Sequence, residues 1–311
     1  MEAAGISFTS NGTEAVNLGL LGVGRRLPAG RRLVTWAAEH QAVLGAVRRL
    51  ELEGVPVNVL TVDGTARAAA GDIPDDAGLV SIGFANNELG TLQPVAEVAA
   101  RARSLGALVH LDACQGPRWL RPPLELADLA SFSGHKLGAG RGGLLYASPS
   151  VRLDPLTFGG PQEWGRRAGR EDVGAALAVA AALAACARRR EAASAQLAPL
   201  AARLRELLVE LGGHPTGGSP RLPNYASAAF TGARGEDLLL ALDLEGVAAS
   251  SGSACASGSL DPSHVLLAMG LGLEEALGSL RLTLGYETTA GQMDRAEAAL
   301  RRVLGRVAAR A

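Results

Sequence analysis

The sequence predicts an α/β protein with a large, mainly parallel sheet in one domain and a smaller α/β domain after it. Two short apolar runs, residues 107–113 and 128–133, each lead to a polar group, as buried strands do at their carboxyl ends. Apolar positions recur at helical spacing between Val95 and Ser104, and strands that alternate with helices indicate parallel pairing. The 311 residues leave room for about two globular domains, because a single core stops growing near ~250–300 residues.

The other elements follow from the same apolar spacing and from turn residues. In chain order they are a strand at 6–9, a helix at 14–21 opened by the polar turn 10–13, a helix-forming stretch at 174–211, strands at 225–230 and 280–284, and a helix at 292–310. We expect a large domain over 1–185 and a smaller carboxy-terminal domain over 186–311.

Charge and apolar patterning argue against several classes of partner. The chain has 30 basic and 31 acidic residues, so neither nucleic acid nor an anionic membrane is expected to bind it. The longest apolar run, Val173 to Ala187, is shorter than the ~20 residues that span a bilayer. The first residues lack the basic and apolar regions of an export signal, which predicts a cytoplasmic protein.

Lys136 is the single lysine, since the other 29 basic residues are arginine. An amine can lose its proton and form a Schiff base, whereas a guanidinium stays protonated. Lys136 and Asp112 each follow a predicted strand, at the end where parallel sheets bind ligands. Pyridoxal phosphate needs such a pair, with the amine holding its aldehyde and the carboxylate its pyridine nitrogen. The turn at 10–13 opens a helix and could bind the phosphate, although its residues are also ordinary helix caps.

Cys255 differs from the other two cysteines in its surroundings. It lies between Ser250 and Ser259, where nine of ten residues are Ser, Ala or Gly. Cys186 lies in an alanine-rich helical stretch and Cys114 follows a strand, as packing residues do. The contrast predicts a reactive thiol at Cys255.

Nine stretches of the chain carry a resemblance to a known family. In order they are FTSNGTEAVN, Glu39-His40, ANNELG with Gln93, HLDACQ, SFSGHK, GGPQEWGRRAG, SSGSACASGS, PSHVLLAMG and SLRLTLG. With them the chain resembles the cysteine desulfurases, the nitrogen-fixation and housekeeping branch of the class V aminotransferase-like enzymes. The resemblance runs from about residue 5 to residue 290 and implies the aspartate aminotransferase-like fold of PLP-dependent transferases.

The resemblance also implies a role for individual residues. It assigns the Schiff base to Lys136, the pyridine nitrogen to Asp112, the phosphate to Gly12, Thr13, Ser133 and His135, ring stacking and proton movement to His40, the phenolic oxygen to Gln115, cofactor and substrate contact to Asn87, the substrate carboxylate to Arg281 and the persulfide to Cys255. No metal is expected in this site.

The function that the resemblance implies is conversion of L-cysteine to L-alanine by a homodimeric enzyme with bound pyridoxal 5'-phosphate. Sulfur would leave on Cys255 for an acceptor protein such as an iron–sulfur scaffold. Two alternatives stay open: a related PLP aminotransferase or selenocysteine lyase, and a truncated, non-catalytic paralogue that acts as an interaction module.

The sequence departs from the family pattern at three places. Family members begin about sixty residues earlier, so we expect either a start codon assigned too late or a truncated paralogue. Arg167-Ala168-Gly169-Arg170 stands where the family has Arg-Ser-Gly-Thr, whose threonine reaches the partner subunit's phosphate. Gly138 to Gly142 replaces the family's Gly-Pro-Lys-Gly turn, and its glycines keep a turn feasible.

Overall fold

The structure is a computed structural model that describes residues 3–252 and 261–308. The chain divides into two compact units, the first from Met1–Thr61, Ala68–Asn86 and Gln93–Arg190, the second from Val62–Arg67, Asn87–Leu92 and Glu191–Ala311. The strands are β1 (Ile6–Thr9), β2 (Arg32–Trp36), β3 (Val57–Leu60), β4 (Ala77–Gly83), β5 (Leu108–Asp112), β6 (Leu129–Ser133), β7 (Gly143–Ala147), β8 (His214–Pro215), β9 (Tyr225–Ala229) and β10 (Ser279–Thr283). The helices are α1 (Gly12–Gly24), α2 (Gln41–Leu52), α3 (Val95–Ser104), α4 (Gly134–Leu137), α5 (Val173–Glu210), α6 (Gly235–Leu244), α7 (His264–Ala268), α8 (Leu273–Leu277) and α9 (Ala290–Ala308).

The predicted strands and helices are confirmed, with ends that shift by a few residues. The clearest difference is α1, which starts at Gly12 and continues to Gly24. Asn11 caps its start by accepting the Glu14 N–H at 2.8 Å. Gly24 lies in its last turn because α1 packs closely there: a Cβ would be 2.5 Å from Cδ1 of Leu50. Within residues 3–252 and 261–308, no helix has both the length and the apolar character needed to cross a bilayer.

The first unit contains a seven-stranded sheet in the order β1-β7-β6-β5-β4-β2-β3, counted over the described residues. Five neighbouring strands pair in parallel, in the order β6, β5, β4, β2 and β3. Strands β7 and β1 add antiparallel pairs beside β6. Every residue of β4 and β6 is buried, as expected for strands covered on both faces. The expected α/β class with a mainly parallel sheet is therefore confirmed.

Helices α1 and α2 supply much of the apolar core of this unit. Leu18 and Leu20 of α1 and Val43 of α2 belong to one buried cluster with Leu33 and Leu79 of the sheet. Burial of a side chain of this size stabilises a fold by about 1.5–3 kcal/mol. The packing holds the start of α1 against the edge of the sheet that carries β6 and β7.

The second unit has a three-stranded antiparallel sheet in the order β10-β9-β8 within the described residues. Its core joins Leu208 of α5, Leu242 of α6 and Leu300 of α9 to Ala228 and Leu280 of the sheet. This sheet fixes the position of Arg281, which lies on β10.

Candidate active site

Asp112 and Lys136 follow two strands that are direct neighbours in the sheet. Asp112 is the last residue of β5 and pairs with Ser131 of β6 in parallel register. Lys136 lies in α4, the short helix that begins directly after β6. Its side chain is half-buried and makes no hydrogen bond or ion pair with any residue that the structure describes. An amine and a buried carboxylate thus belong to the same edge of the sheet.

Cys114 helps to orient the Asp112 carboxylate and is itself half-buried beside it. Its backbone N–H donates to Oδ1 of Asp112 at 2.9 Å, which fixes the orientation of that carboxylate. Burial and the Asp112 carboxylate raise the pKa of the Cys114 thiol well above its ordinary value, and Lys136 lowers it only partly. The thiol therefore stays protonated at neutral pH, which agrees with the packing role expected for Cys114.

The start of α1 presents two backbone N–H groups, of Gly12 and Thr13, that have no acceptor among the described residues. A Cβ at Gly12 would lie 2.6 Å from Sγ of Cys114 and 2.8 Å from Cβ of Ser133, so only glycine fits. Oγ of Ser133 and Nδ1 of His135 are hydrogen-bonded at 2.9 Å. Free N–H groups at a helix start, next to hydroxyl and imidazole groups, are a favourable arrangement for a phosphate. The fold thus brings together the predicted phosphate residues.

His40 lies at the start of α2, where its side chain caps the helix. Its Nδ1 accepts the backbone N–H of Ala42 at 3.0 Å. Because Nδ1 accepts, the neutral ring carries its proton on Nε2. The fold therefore sets the tautomer of the neutral ring through the contact between Nδ1 and the Ala42 N–H.

The two predicted substrate residues, Asn87 and Arg281, come together in the second unit. Nη1 of Arg281 donates to the backbone carbonyl of Asn87 at 3.0 Å, and Nη2 donates to Oγ of Ser250 at 2.9 Å. Tyr225 donates its hydroxyl to the same Asn87 carbonyl at 3.1 Å. Two fixed contacts pre-orient the guanidinium, which lowers the entropy cost of binding a carboxylate.

The structure says little about the two remaining predicted site residues, Gln115 and Cys255. Gln115 follows Cys114 and is half-buried. Cys255 lies outside the described residues.

Comparisons with known proteins identify the family. The sequence profile described as Aminotransferase class-V matches residues 1–296. The cysteine desulfurase of Trichormus azollae is 39% identical over 303 residues, which cover 93% of this chain and 75% of that protein. The chain belongs to the cysteine desulfurase family. The cysteine desulfurase IscS of Methanosarcina thermophila is also 39% identical, over 305 residues that cover 93% of this chain and 74% of the relative. The motif-based resemblance is confirmed.

Solved structures of the family confirm the expected fold, and the family is PLP-dependent. A NifS-like protein superposes with a TM-score of 0.88 at 30% sequence identity, and the match covers 98% of this chain and 84% of that protein. DndA from Streptomyces lividans has a TM-score of 0.77 at 33% identity, with 91% and 83% covered. SspA in complex with cysteine has a TM-score of 0.77 at 28% identity, with 92% and 83% covered.

This cysteine desulfurase also holds a buried acid that sequence reasoning quoted only as part of a motif. Oε1 of Glu39 accepts the backbone N–H of Gly83 at 2.9 Å, and Gly83 is the register partner of Asp112. Burial, with a further contribution from the Asp112 charge, raises the pKa of Glu39 to about 8. Glu39 is therefore mostly protonated at neutral pH.

We expect Glu39→Gln to stabilise the cofactor-free cysteine desulfurase, and increasingly so as pH rises. The folded parent binds more protons than the unfolded chain between the ordinary pKa of 4.5 and about 8, so its free energy of unfolding falls as pH rises through that window. The neutral amide lacks this dependence while it can still accept from Gly83. Each pKa unit corresponds to about 1.4 kcal/mol, so the variant gains up to several kcal/mol over the parent.

Urea unfolding at pH 5 and at pH 9 measures this difference. Glu51→Gln, at the exposed end of α2, is the matched control and should follow the parent. Equal stability changes in the parent and in Glu39→Gln between the two pH values would contradict the protonated state of Glu39.

His110 is a second buried group, and no site role was predicted for it. Its Nδ1 is hydrogen-bonded to Oγ of Ser81 at 2.9 Å and its Nε2 to Oγ of Ser131 at 2.8 Å. Burial lowers the pKa of His110 to about 4, so the ring is neutral. The three side chains link β4, β5 and β6 just before β5 reaches Asp112, and so hold the site edge in register.

Proposed function

We propose that this cysteine desulfurase binds pyridoxal 5'-phosphate at the edge formed by β5, β6 and the start of α1, and converts L-cysteine to L-alanine with transfer of sulfur to Cys255. The single observation that carries the proposal is the environment of Lys136. It is the only lysine of the chain, it is half-buried without a polar partner in the described part of the structure, and it follows the strand beside Asp112.

The residues at this edge fit the cofactor chemically. The free N–H groups of Gly12 and Thr13, together with Ser133 and His135, would hold the phosphate. Asp112 would hold a proton on the pyridine nitrogen, and Gln115 would contact the phenolic oxygen. When bound and attached to Lys136, pyridoxal phosphate supplies an electron sink that labilises bonds at the substrate's α-carbon.

The protein side of the reaction then falls to four residues. Arg281, with its guanidinium held by Asn87 and Ser250, would bind the carboxylate of L-cysteine. His40 would stack on the cofactor and move protons through Nε2. The Lys136 amine would serve as a second proton carrier near the α-carbon.

Cys255 would accept the sulfur. Its thiolate forms a bond to the sulfur of the substrate while the carbon–sulfur bond breaks, and the electron pair of the broken bond stays on the carbon fragment. That fragment takes up protons and leaves as L-alanine, and the new sulfur–sulfur bond leaves Cys255 as a persulfide. The terminal sulfur would pass to an acceptor protein such as an iron–sulfur scaffold.

A homodimer and a cytoplasmic location belong to the same proposal, as does the division into a cofactor domain (1–185) and a cysteine-bearing domain (186–311). Four large apolar side chains along residues 158–177 are exposed, which supports a partner subunit on this segment. They are Phe158, Trp164, Val173 and Leu177. The same segment holds Arg170, exposed and charged, where the family threonine would meet the partner's phosphate.

The direct test is to load the protein with pyridoxal phosphate, add L-cysteine and quantify alanine and protein-bound sulfur. We expect one alanine for each sulfur taken up by the protein in the first turnover. Alanine from L-selenocysteine alone would favour the lyase alternative. Consumption of an added 2-oxo acid without protein-bound sulfur would favour the aminotransferase.

A further inference from the structure

Glu88 is a buried carboxylate in the second unit. It is hydrogen-bonded to one end of residues 252–263, which contain Cys255 and are called the cysteine-bearing segment below. Its Oε2 accepts the hydroxyl of Ser263 at 2.5 Å. Both side chains are buried, with relative exposures of 5% and 3%. Ser263 also begins α7, because its Oγ accepts the backbone N–H of Leu266 at 3.2 Å. The carboxylate therefore fixes the point where the chain enters α7.

The other end of the same segment meets the same carboxylate. Gly252 is buried, and a Cβ placed on it would lie 2.8 Å from Cβ of Ser263 and 3.1 Å from Oε2 of Glu88. The Gly252 N–H donates to Oγ of Ser279 on β10 at 3.0 Å. Residues 252 and 263 are thus held side by side, and Cys255 lies between them in the chain.

Arg281 connects the contacts of Glu88 with Gly252 and Ser263, called the anchor below, to the proposed substrate site. Ser250 and Arg281 form a β-bridge, with the Ser250 N–H donating to the Arg281 carbonyl at 3.0 Å. The Arg281 guanidinium donates to the carbonyl of Asn87, the residue before Glu88. Burial raises the pKa of Glu88, while the charges of His264 and Arg281 favour its ionised form. Glu88 therefore lies next to both ends of the cysteine-bearing segment, and it directly follows the residue that the substrate arginine contacts.

We infer that Glu88 is a positioning residue for sulfur transfer, which holds Gly252 and Ser263 together beside Arg281 so that the Cys255 segment starts and ends next to the bound substrate. The inference rests on the proposed function. Joining the ends of a loop reduces the number of positions that its residues can sample. A reacting group held within the right range gains a large effective concentration over a freely diffusing one.

The test compares Glu88→Ala with Glu88→Gln, which keeps an oxygen that can accept from Ser263. Hydrogen exchange of the cofactor-free protein reports on the anchor without any turnover. We expect faster exchange at the Gly252 and Leu266 N–H groups in Glu88→Ala, and near-parental exchange in Glu88→Gln. Glu245→Ala, on a half-buried carboxylate of the same unit that pairs with Arg302, is the matched control and should change neither.

Single-turnover persulfide formation is the second readout. In Glu88→Ala we expect the rate to fall by about tenfold to a hundredfold, as for a displaced reacting group. The KM for L-cysteine should stay within about twofold, because Arg281 keeps its contact with Ser250. Glu88→Gln should recover most of the rate.

Three results would overturn the inference or separate it from the proposed function. An unchanged persulfide rate in folded Glu88→Ala would overturn the positioning role. If Glu88→Ala does not fold, Ser263→Ala removes the same hydrogen bond, and an unchanged rate in that variant has the same meaning. If the parent itself forms no persulfide, the proposed function fails first, and the inference fails with it.

Discussion

Lys136→Ala is expected to abolish covalent attachment of pyridoxal phosphate and the conversion of L-cysteine. The chain offers no second lysine that could take its place, and the 29 arginines stay protonated and cannot form the linkage. Borohydride treatment of the loaded parent, followed by peptide mass spectrometry, should locate the pyridoxyl group on the peptide that contains Lys136. The variant should show no such group and no alanine above background.

Lys136→Arg is the matched control, because it retains the positive charge but not the reactive amine. We expect it to be as inactive as Lys136→Ala while it keeps more of the noncovalent affinity for the cofactor's phosphate. A pyridoxyl group found only at the amino terminus, or parental alanine formation by either variant, would contradict the assignment of Lys136.

The location of Lys136 and Asp112 shows which features a sequence can predict. Both strands are short apolar runs, and in a parallel sheet their carboxyl ends must meet at one edge if the strands are neighbours. The register of Asp112 with Ser131 shows that they are. The start of α1 could be predicted equally well, since Ser10-Asn11-Gly12 is a typical capping sequence.

The buried acids could not be predicted in the same way. Glu39 lies between Ala38 and His40 with no apolar periodicity that would mark it as buried. Its burial depends on Gly83, since a Cβ there would lie 2.9 Å from Oε2 of Glu39. A contact across 44 residues is a property of the fold and leaves no local signal. Glu88 is hidden for the same reason, because its partner Ser263 follows 175 residues later.

The composition of the second unit was also beyond sequence reasoning. Residues 62–67 and 87–92 belong to it although the residues around them belong to the first unit. Hydrogen bonds from Leu92 N–H to the Pro220 carbonyl and from Leu222 N–H to the Gly90 carbonyl hold the second of these segments. These pairings join segments that are far apart in sequence, so local spacing gives no indication of them. As a result Asn87 belongs to the unit of Arg281, while its neighbour Asn86 belongs to the unit of Lys136.

Cys255→Ser separates desulfuration from every other use of the cofactor. A transaminase needs the lysine, the electron sink and a carboxylate-binding group, so loss of this thiol should leave its turnover intact. A desulfurase that works through a persulfide needs a thiolate to accept sulfur, and a serine hydroxyl is a far weaker nucleophile at neutral pH. We expect Cys255→Ser to load with cofactor and to bind L-cysteine through Arg281, yet to form no alanine and to gain no sulfur atom.

Cys114→Ser and Cys186→Ser are the matched controls for Cys255→Ser, since each removes one thiol that the structure places in packing. Cys186 is 3% exposed, and its Sγ contacts the Leu137 carbonyl at 3.6 Å. The Cys114 thiol has a raised pKa and packs against Gly12. Both variants should retain alanine formation and the mass increase of one sulfur atom on the protein, as measured by intact mass spectrometry after a single turnover. Alanine release by Cys255→Ser at the parental rate would rule out a persulfide on Cys255, and the aminotransferase or lyase alternatives would then account for the cofactor site.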